Sequence, residues 1–183
     1  MSLDHYSILE LSHSDLTPDL LKHFNRHQEV RRCFRQENGE WVLKDIDAFT
    51  EQWDEALKEE IVRLDFTNCI NAGGIVWAVY DSRNQVIAFA SLLPELFGSS
   101  QQYLQLMQIH VSYEYRSKGI GKKLFERCAD KARVMGACKL YISAHSSEES
   151  QLFYTKIGCI DASEINRIIA EYEPFDRQME YVL

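Results

Sequence analysis

A length of 183 residues suits one domain with one hydrophobic core, and residues 1–183 are expected to form it. The apolar fraction of 45% and the charged fraction of 26% are ordinary for a globular protein and argue against extensive disorder. The formal net charge of −8 argues against a nucleic-acid partner, because such proteins need a basic surplus to bind phosphates. An acidic surface suits a cationic or amine ligand better.

The five cysteines show no Cys-x-x-Cys spacing, and their odd number argues against a disulfide framework or a zinc site. No segment approaches the roughly 18 consecutive apolar residues of a membrane helix. The N-terminus lacks a basic region followed by an apolar run, so no signal peptide is expected. We therefore expect a cytoplasmic protein with free thiols, no metal and no membrane contact. Met1-Ser2-Leu3 could be a leader and carries no prediction.

Two helices are predicted in the first part of the chain. Thr17-Pro18-Asp19 is typical of a helix start, because threonine can cap and proline suits the first helical position. Apolar residues follow at helical spacing, up to Phe24. The basic stretch 31–35 is ambiguous. Thr50 is predicted to open a longer helix, with Trp53 and Leu57 on its apolar face, that ends before Gly73.

The middle of the chain changes to the periodicity of strands. Residues 75–80 and 86–90 are rich in β-formers and are joined by turn residues, so they predict an antiparallel hairpin. Tyr103 to Val111 is apolar on both faces, as expected for a central strand. The later elements are predicted in this order: a helix holding Leu124 to Met135 and ended by Gly136, a strand Lys139–Ala144, a helix from a cap at Ser146 or Ser147 to Gly158, a short helix Glu164–Tyr172, and a closing strand Gln178–Leu183. This order predicts an α/β layer fold with a mixed sheet.

A glycine-containing loop, Arg116-Ser117-Lys118-Gly119-Ile120-Gly121, lies between the central strand and the next helix. Unpaired N–H groups and the positive end of the helix dipole bind a phosphate or diphosphate there, and glycines let the backbone come close. Lys122 and Lys123 add positive charge. Position 124 is Leu, so a dinucleotide fingerprint is excluded, and no Walker sequence is present. A turn that caps the helix and binds nothing stays open as the alternative.

These residues resemble the GCN5-related N-acetyltransferases (GNAT), whose shared loop Gln/Arg-x-x-Gly-x-Gly/Ala is matched by Arg116-x-x-Gly119-x-Gly121. A second match is Phe153-Tyr154-x-x-x-Gly158 after a strand, and the clear resemblance covers about residues 75–160. The resemblance implies an α/β fold of the GNAT acyl-CoA N-acyltransferase type, with a mixed, mostly antiparallel central sheet flanked by helices. It also implies an acetyl-CoA-dependent N-acetyltransferase in which an amine attacks the thioester directly and coenzyme A is the product.

The resemblance further implies roles for individual residues. Backbone N–H groups of Ile109 to Val111 would bind the acetyl oxygen, where charge develops. Tyr154 would protonate the leaving thiolate, or alternatively only pack. The expected cofactor-binding residues are Ile109, Val111, Arg116, Ser117, Lys118, Gly119, Ile120, Gly121, Lys122 and Ser147.

The group that deprotonates the amine is left open by the sequence. His110 is a candidate because imidazole titrates near neutrality, although a core histidine is an equal interpretation. Glu114 and His145 are weaker candidates, and deprotonation through water is a further alternative. Ser143 stands where some family members have a glutamate base, and Ser147 where they often have an asparagine.

The acceptor is predicted to be a small-molecule primary amine bound between the N-terminal helices and the sheet. Residues considered for its lining, with core packing or a solvated face as the alternative, are Phe24, Arg26, Arg31, Trp41 and Trp53. Two other functions stay open: acetylation of a protein N-terminus or lysine, and a non-catalytic acyl-CoA-binding sensor. A homodimer is a further expectation, because dimers are frequent in proteins of this fold.

Overall fold

The computed structural model describes residues 6–183, so His5 and the leader 1–3 lie outside the described residues. The first strand, β1, spans Ser7–Glu10. The helix predicted after Thr17 is wrong: the segment makes successive turns, in which the N–H groups of Leu20, Lys22 and Phe24 each bond a carbonyl three residues back. Apolar residues three apart can reach the core from tight turns as well as from a helix, and so short a helix has little stability of its own.

The chain then forms a long hairpin that the sequence analysis missed. Strand β2 spans Gln28–Glu37 and β3 spans Glu40–Glu51, and they pair as a separate two-stranded sheet. Asn38 and Gly39 form the turn with φ of 51° and 85°, the left-handed values that an Asn-Gly turn supplies. The ambiguous basic stretch is part of β2.

The second predicted helix exists but begins later. Thr50 lies in β3, and Asp54 caps the helix by accepting the N–H of Leu57 at 2.8 Å. The helical stretch consists of α1 Glu55–Glu60, a π-helical turn Ile61–Phe66 and α2 Thr67–Asn71. It ends before Gly73, as predicted.

From residue 75 onward the predicted elements are confirmed in order, with small shifts at their ends. They are β4 Ile75–Tyr80, β5 Val86–Leu92, β6 Tyr103–Val111, α3 Ile120–Val134, β7 Lys139–Ala144, α4 Glu148–Ile157, α5 Arg167–Tyr172 and β9 Arg177–Val182. A two-residue strand that the sequence did not predict, β8 Ile160–Asp161, lies between α4 and α5. Ser147 caps α4, and Gly158 ends it with a φ of 103°.

The main sheet has seven strands in the order β1-β4-β5-β6-β7-β9-β8. Among the strands of residues 6–183, only β6 and β7 run parallel to each other, so the sheet is mixed and mostly antiparallel, as predicted. One face packs on α3 and includes the buried Leu124, Phe125 and Met179. The other face packs on the helical stretch 55–71, with Phe24, Phe66 and Phe89 at its centre. Within residues 6–183, every helix is too short or too polar to cross a lipid bilayer.

Candidate functional site

The two parallel strands at the middle of the sheet separate. Residues 103–105 of β6 pair with residues 139–141 of β7, and beyond this point no pairing joins the two strands. Strand β6 continues beside β5 up to Val111, while β7 continues beside β9 up to Ala144. A gap therefore opens between the second half of β6 and the end of β7.

A bulge in β6 determines which backbone groups face this gap. Ser91 is opposite Gln108 and Leu92 is opposite Leu106, so Met107 is the extra residue. After the bulge, Ser112 donates its N–H to Ile87 of β5 at 2.8 Å. Since N–H directions alternate along a strand, those of residues 109 and 111 point away from β5 and toward the gap. These are the two donors that the sequence predicts.

The loop before α3 presents a row of open backbone donors. The N–H groups of residues 117–122 have no acceptor within the described part of the chain. The first helical bond beyond them runs from Lys123 to the carbonyl of Gly119 at 3.1 Å. Ser117 and Gly119 have φ of 60° and 81°, so the backbone curls here. Such a curl at the positive end of a helix dipole is suited to an anion.

A side chain is disfavoured at the two glycines of the loop for different structural reasons. A Cβ on Gly119 would meet no atom within 4 Å, so this position borders open space. A Cβ on Gly121 would lie 3.2 Å from the ring of Phe153 and 3.5 Å from Val111. Gly121 therefore allows α3 to approach α4 and β6 closely. The sequence predicted instead that both glycines let the backbone come close to a phosphate.

Arg116 connects the loop to the rest of the site. Its Nε donates to the carbonyl of Val111 at 3.1 Å, and its guanidinium donates to the carbonyl of Arg26 at 3.0 Å. Its guanidinium also lies 3.8 Å from Glu149 of α4. The side chain of Arg116 therefore holds the end of β6 in place. Of the predicted cofactor-binding residues, Lys118 and Lys122 have exposed side chains and place positive charge at the surface of the loop.

Tyr154 lies on α4, on the side of the sheet that packs on α3. Its ring lies 5.2 Å from that of Phe153 and 6.5 Å from that of Phe125. Burial, together with the charges of Cys159 and Asp176, raises the pKa of Tyr154 well above its ordinary value. Its hydroxyl therefore stays protonated at neutral pH.

His110 lies on the opposite face of the sheet. Its ring contacts Trp53 at a centroid distance of 4.9 Å and Phe89 at 5.3 Å. Burial, and secondarily the charge of Arg26, lowers the pKa of His110 to about 3. The imidazole is therefore neutral at pH 7 but is a weak proton acceptor.

The hairpin contributes a polar cluster to the same face, which consists of Arg26, Gln28, Glu51 and His145. Glu51 at the end of β3 accepts from Arg26 and from His145, the latter at 3.1 Å. Arg26 is buried, donates to Gln28 at 2.7 Å and lies 5.6 Å from the Trp53 ring. The hydrogen bond from His145 and the charge of Arg26 lower the pKa of Glu51, and the same bond raises the pKa of His145. The cluster ties the hairpin to the end of β7.

Ser147 is buried, and its hydroxyl is occupied locally. It caps α4, bonds the hydroxyl of Ser150 at 2.9 Å and accepts from Gln28 at 3.3 Å. Glu114 is exposed and bonds Asn25 at 2.6 Å. The polar atoms of both side chains are already hydrogen-bonded to neighbouring residues. The geometry therefore gives no support to the predicted roles of Ser147 and Glu114.

The predicted lining residues divide into two groups. Phe24, Arg26 and Trp53 lie together beside His110, with Phe24 and Trp53 stacked at 5.7 Å. Arg31 is exposed and bonds Glu29, and Trp41 lies under Arg177 of β9. The last two residues are outside the group around His110.

Asp65 and Asp176 were not found from the sequence. Asp65, in the π-helical turn, accepts from Gln108 of β6 at 2.6 Å. Asp176 precedes β9 and accepts from Ser143 of β7 at 3.3 Å. Burial raises the pKa of Asp65 above its ordinary value and that of Asp176 to about 6. The sequence signal is weak: Asp65 lies within the predicted second helix, and Asp176 lies two residues before the predicted closing strand.

Comparison with known proteins identifies a family. The model of the acetyltransferase (GNAT) family matches residues 40–159. A comparison with curated proteins finds no significant match.

Solved structures with the same fold have low sequence identity to the chain. A nourseothricin acetyltransferase is 14% identical with a TM-score of 0.70, over 97% of this chain and 98% of that one. A provisionally named streptothricin acetyltransferase from Bacillus anthracis str. Ames, in complex with acetyl coenzyme A, is 20% identical with a TM-score of 0.72, over 98% of both chains. The PaiA N-acetyltransferase from Thermoplasma acidophilum, in complex with coenzyme A, is 16% identical with a TM-score of 0.57, over 98% and 99%.

The cluster around Glu51 predicts a pH-dependent stability. A lowered carboxyl pKa stabilises the fold at pH values above the ordinary pKa of about 4.5, and this stability is lost as the pH falls through the lowered value. We expect Glu51→Gln to reduce the free energy of unfolding by about 1 kcal/mol at pH 7 and by less at pH 3.5. Urea unfolding at both pH values measures this. The control is Glu29→Gln, an exposed partner of Arg31 on the same hairpin, which should change little at either pH. An equal loss for Glu51→Gln at both pH values would contradict the expectation.

Proposed function

Because the chain belongs to the acetyltransferase (GNAT) family, we propose that it transfers an acetyl group from acetyl-coenzyme A to a primary amine of a small molecule. The observation that carries the proposal is the row of open N–H groups at residues 117–122. A diphosphate needs several such donors together, and the open space beside Gly119 leaves room for its oxygens. The neighbouring structures that contain acetyl-CoA or coenzyme A support the same donor.

The residues divide the chemistry between the two faces of the sheet. Acetyl-coenzyme A supplies an activated thioester, and the loop holds its diphosphate. The N–H groups of Ile109 and Val111, directed into the gap, would stabilise the negative charge that develops on the acetyl oxygen. Tyr154, whose hydroxyl is protonated at neutral pH, would donate its proton to the departing sulfur.

Two observations support a small cationic acceptor. First, the hairpin covers the end of the gap. The backbone N–H of Phe34 in β2 donates to the carbonyl of Ser146 at 2.8 Å, and the backbones of Cys33 and Ser147 form an isolated antiparallel β-bridge. A long peptide would need this end to be open. Second, three carboxylates belong to the acceptor side of the gap, and an ammonium group is attracted to them. They are Glu51, Asp65 and Asp176.

We further propose that residues 1–183 form one acetyltransferase domain. The alignment with the nourseothricin acetyltransferase, over 97% of this chain and 98% of that one, supports this extent.

The function is tested by a screen with acetyl-CoA and a panel of amines. The panel contains spermidine, lysine, kanamycin, nourseothricin and short peptides with free N-termini. Acetylated product is followed by mass, because the exposed Cys138 would react with thiol reagents. We expect at least one small cationic amine to be acetylated faster than every peptide. Faster acetylation of peptides would favour a protein substrate. Binding of acetyl-CoA without any product would favour a sensor.

Gly119→Glu is expected to weaken acetyl-CoA binding by about 100-fold, close to 3 kcal/mol, while the protein stays folded. The new side chain would enter the open space beside the loop and bring a negative charge to the diphosphate. Calorimetry measures the Kd. The matched control is Gly136→Glu at the other end of α3, where φ is 93° and a Cβ also meets nothing within 4 Å. Equal affinities for both variants would count against the loop.

Tyr154→Phe is expected to lower kcat by about 100-fold, because the proton donor is lost, and to change the Kd of acetyl-CoA by less than about twofold. Steady-state kinetics and calorimetry separate the two quantities. The control is Tyr181→Phe, whose ring packs on Phe125 at 5.0 Å, as that of Tyr154 does at 6.5 Å. An unchanged kcat in Tyr154→Phe would remove the acid role.

A further inference from the structure

The proposed reaction needs a proton acceptor, because a primary amine with a pKa of about 10 is protonated at neutral pH and cannot attack. His110, the candidate from the sequence, has its pKa lowered to about 3 by burial and by the charge of Arg26. Such a weak base would take a proton from an ammonium group only rarely. The acceptor side of the gap therefore has to supply another group.

Side-chain alternation identifies which residues face the acceptor side. On β6, Ile109 and Val111 pack against the core beside α3, so His110 lies on the opposite face with Trp53. On β7, Ile142 and Ala144 belong to that same core beside α3, so Ser143 lies on the opposite face. His110 and Ser143 therefore lie on the same face of the sheet, on the two sides of the gap.

A chain of hydrogen bonds holds Asp176 beside Ser143. The hydroxyl of Ser143 donates to the carboxylate of Asp176 at 3.3 Å. The side-chain amide of Gln178 donates to Ser143 at 2.9 Å, and the hydroxyl of Tyr141 donates to Gln178 at 2.8 Å. Because β7 and β9 pair antiparallel with Ser143 opposite Gln178, the start of β9 lies beside the end of β7, and the bond from Ser143 holds the carboxylate of Asp176 on the acceptor face of the sheet.

The surroundings of Asp176 suit it to accept a proton near neutrality. Its pKa is raised to about 6, chiefly by burial and also by the charges of Glu173 and of Glu51 in β3. The charge of His145 and the hydrogen bond from Ser143 lower the pKa and oppose this rise. From α4, Tyr154 is close enough for the charge of Asp176 to contribute to its raised pKa. A base with a pKa near the working pH combines availability with proton affinity.

We propose that Asp176 is the general base of the acetyl transfer, held in position by the hydrogen-bonded chain Tyr141–Gln178–Ser143. The inference rests on the proposed function. The acceptor ammonium gives one proton to the Asp176 carboxylate. Its nitrogen then forms the bond to the acetyl carbon while the carbon–sulfur bond breaks. Tyr154 gives its proton to the departing sulfur and recovers the second proton of the nitrogen. Asp176 finally releases its proton to solvent.

The test compares pH profiles of kcat/KM for wild type and Asp176→Asn, with acetyl-CoA and the panel amine that gives the fastest acetylation. In wild type we expect kcat/KM to fall tenfold per pH unit below about pH 6. In Asp176→Asn we expect it to be about 100-fold lower at pH 7 and to keep rising tenfold per pH unit above pH 6, where wild type is level, because only amine that has already lost its proton to solvent can attack; the Kd for acetyl-CoA should be unchanged. The matched control is Glu171→Gln, which removes an exposed carboxylate of α5 and should keep the wild-type profile. His110→Gln should also keep the acid limb.

Two results would overturn the inference: an Asp176→Asn variant within about threefold of wild type that keeps a level kcat/KM above about pH 6, or loss of this level region in His110→Gln alone. If wild type acetylates no amine, the proposed function fails. If wild type is active and Asp176→Asn keeps the level region of kcat/KM above about pH 6, only the base assignment fails.

A second variant and a measurement without turnover keep the inference testable if Asp176→Asn does not fold. Ser143→Ala removes the hydrogen bond that lowers the pKa of Asp176, so the acid limb should move to higher pH. An unmoved limb contradicts the inference. In the ligand-free wild-type protein, the carboxyl ¹³C signal of Asp176 should titrate near pH 6 and move with Ser143→Ala. A carboxyl that titrates below pH 4 contradicts it.

Discussion

The separation of β6 from β7 is the constraint on which the rest of the site depends. A strand in the middle of a sheet normally has all its N–H groups paired, and here pairing to one neighbour stops after three residues. The bulge at Met107 then turns the N–H groups of residues 109 and 111 into the gap. The same separation leaves room on both faces, so a donor can approach from the α3 side and an acceptor from the hairpin side. In the proposed reaction, the separation of the strands thus provides both the binding space and the electrostatic stabilisation.

The titratable groups around the gap have different surroundings, and their proton affinities differ for this reason. His110 is surrounded by aromatic rings and loses its basicity, whereas Asp176 gains proton affinity in a setting with few compensating positive charges. Tyr154 stays protonated on the other face. Groups with such separated proton affinities can act as donor and acceptor in one reaction. Arg26 and Glu51 hold the hairpin beside these groups.

The second half of the fold could be predicted because its signals are local. Residues 103–111 and 139–144 have clear strand patterns, and Gly136 and Gly158 end helices with left-handed backbone. The helix expected after Thr17 failed because the same apolar spacing also fits tight turns that bury Phe24. The hairpin was missed although Asn38-Gly39 is a strong turn signal. Asp176 could not be found, since its contact with Ser143 spans 33 residues and depends on the pairing of β7 with β9.

The hairpin is a separate two-stranded sheet, and this has a consequence for how the protein could diversify. The groups proposed to hold the acyl donor come from residues 109–122 and from α4, while part of the proposed cover of the acceptor side comes from one contiguous segment, residues 28–51. Changes in that segment would alter which amines enter without disturbing the donor half. Descendants of one ancestral gene could therefore exchange substrates by remodelling a single β-ribbon, while their chemistry is inherited unchanged.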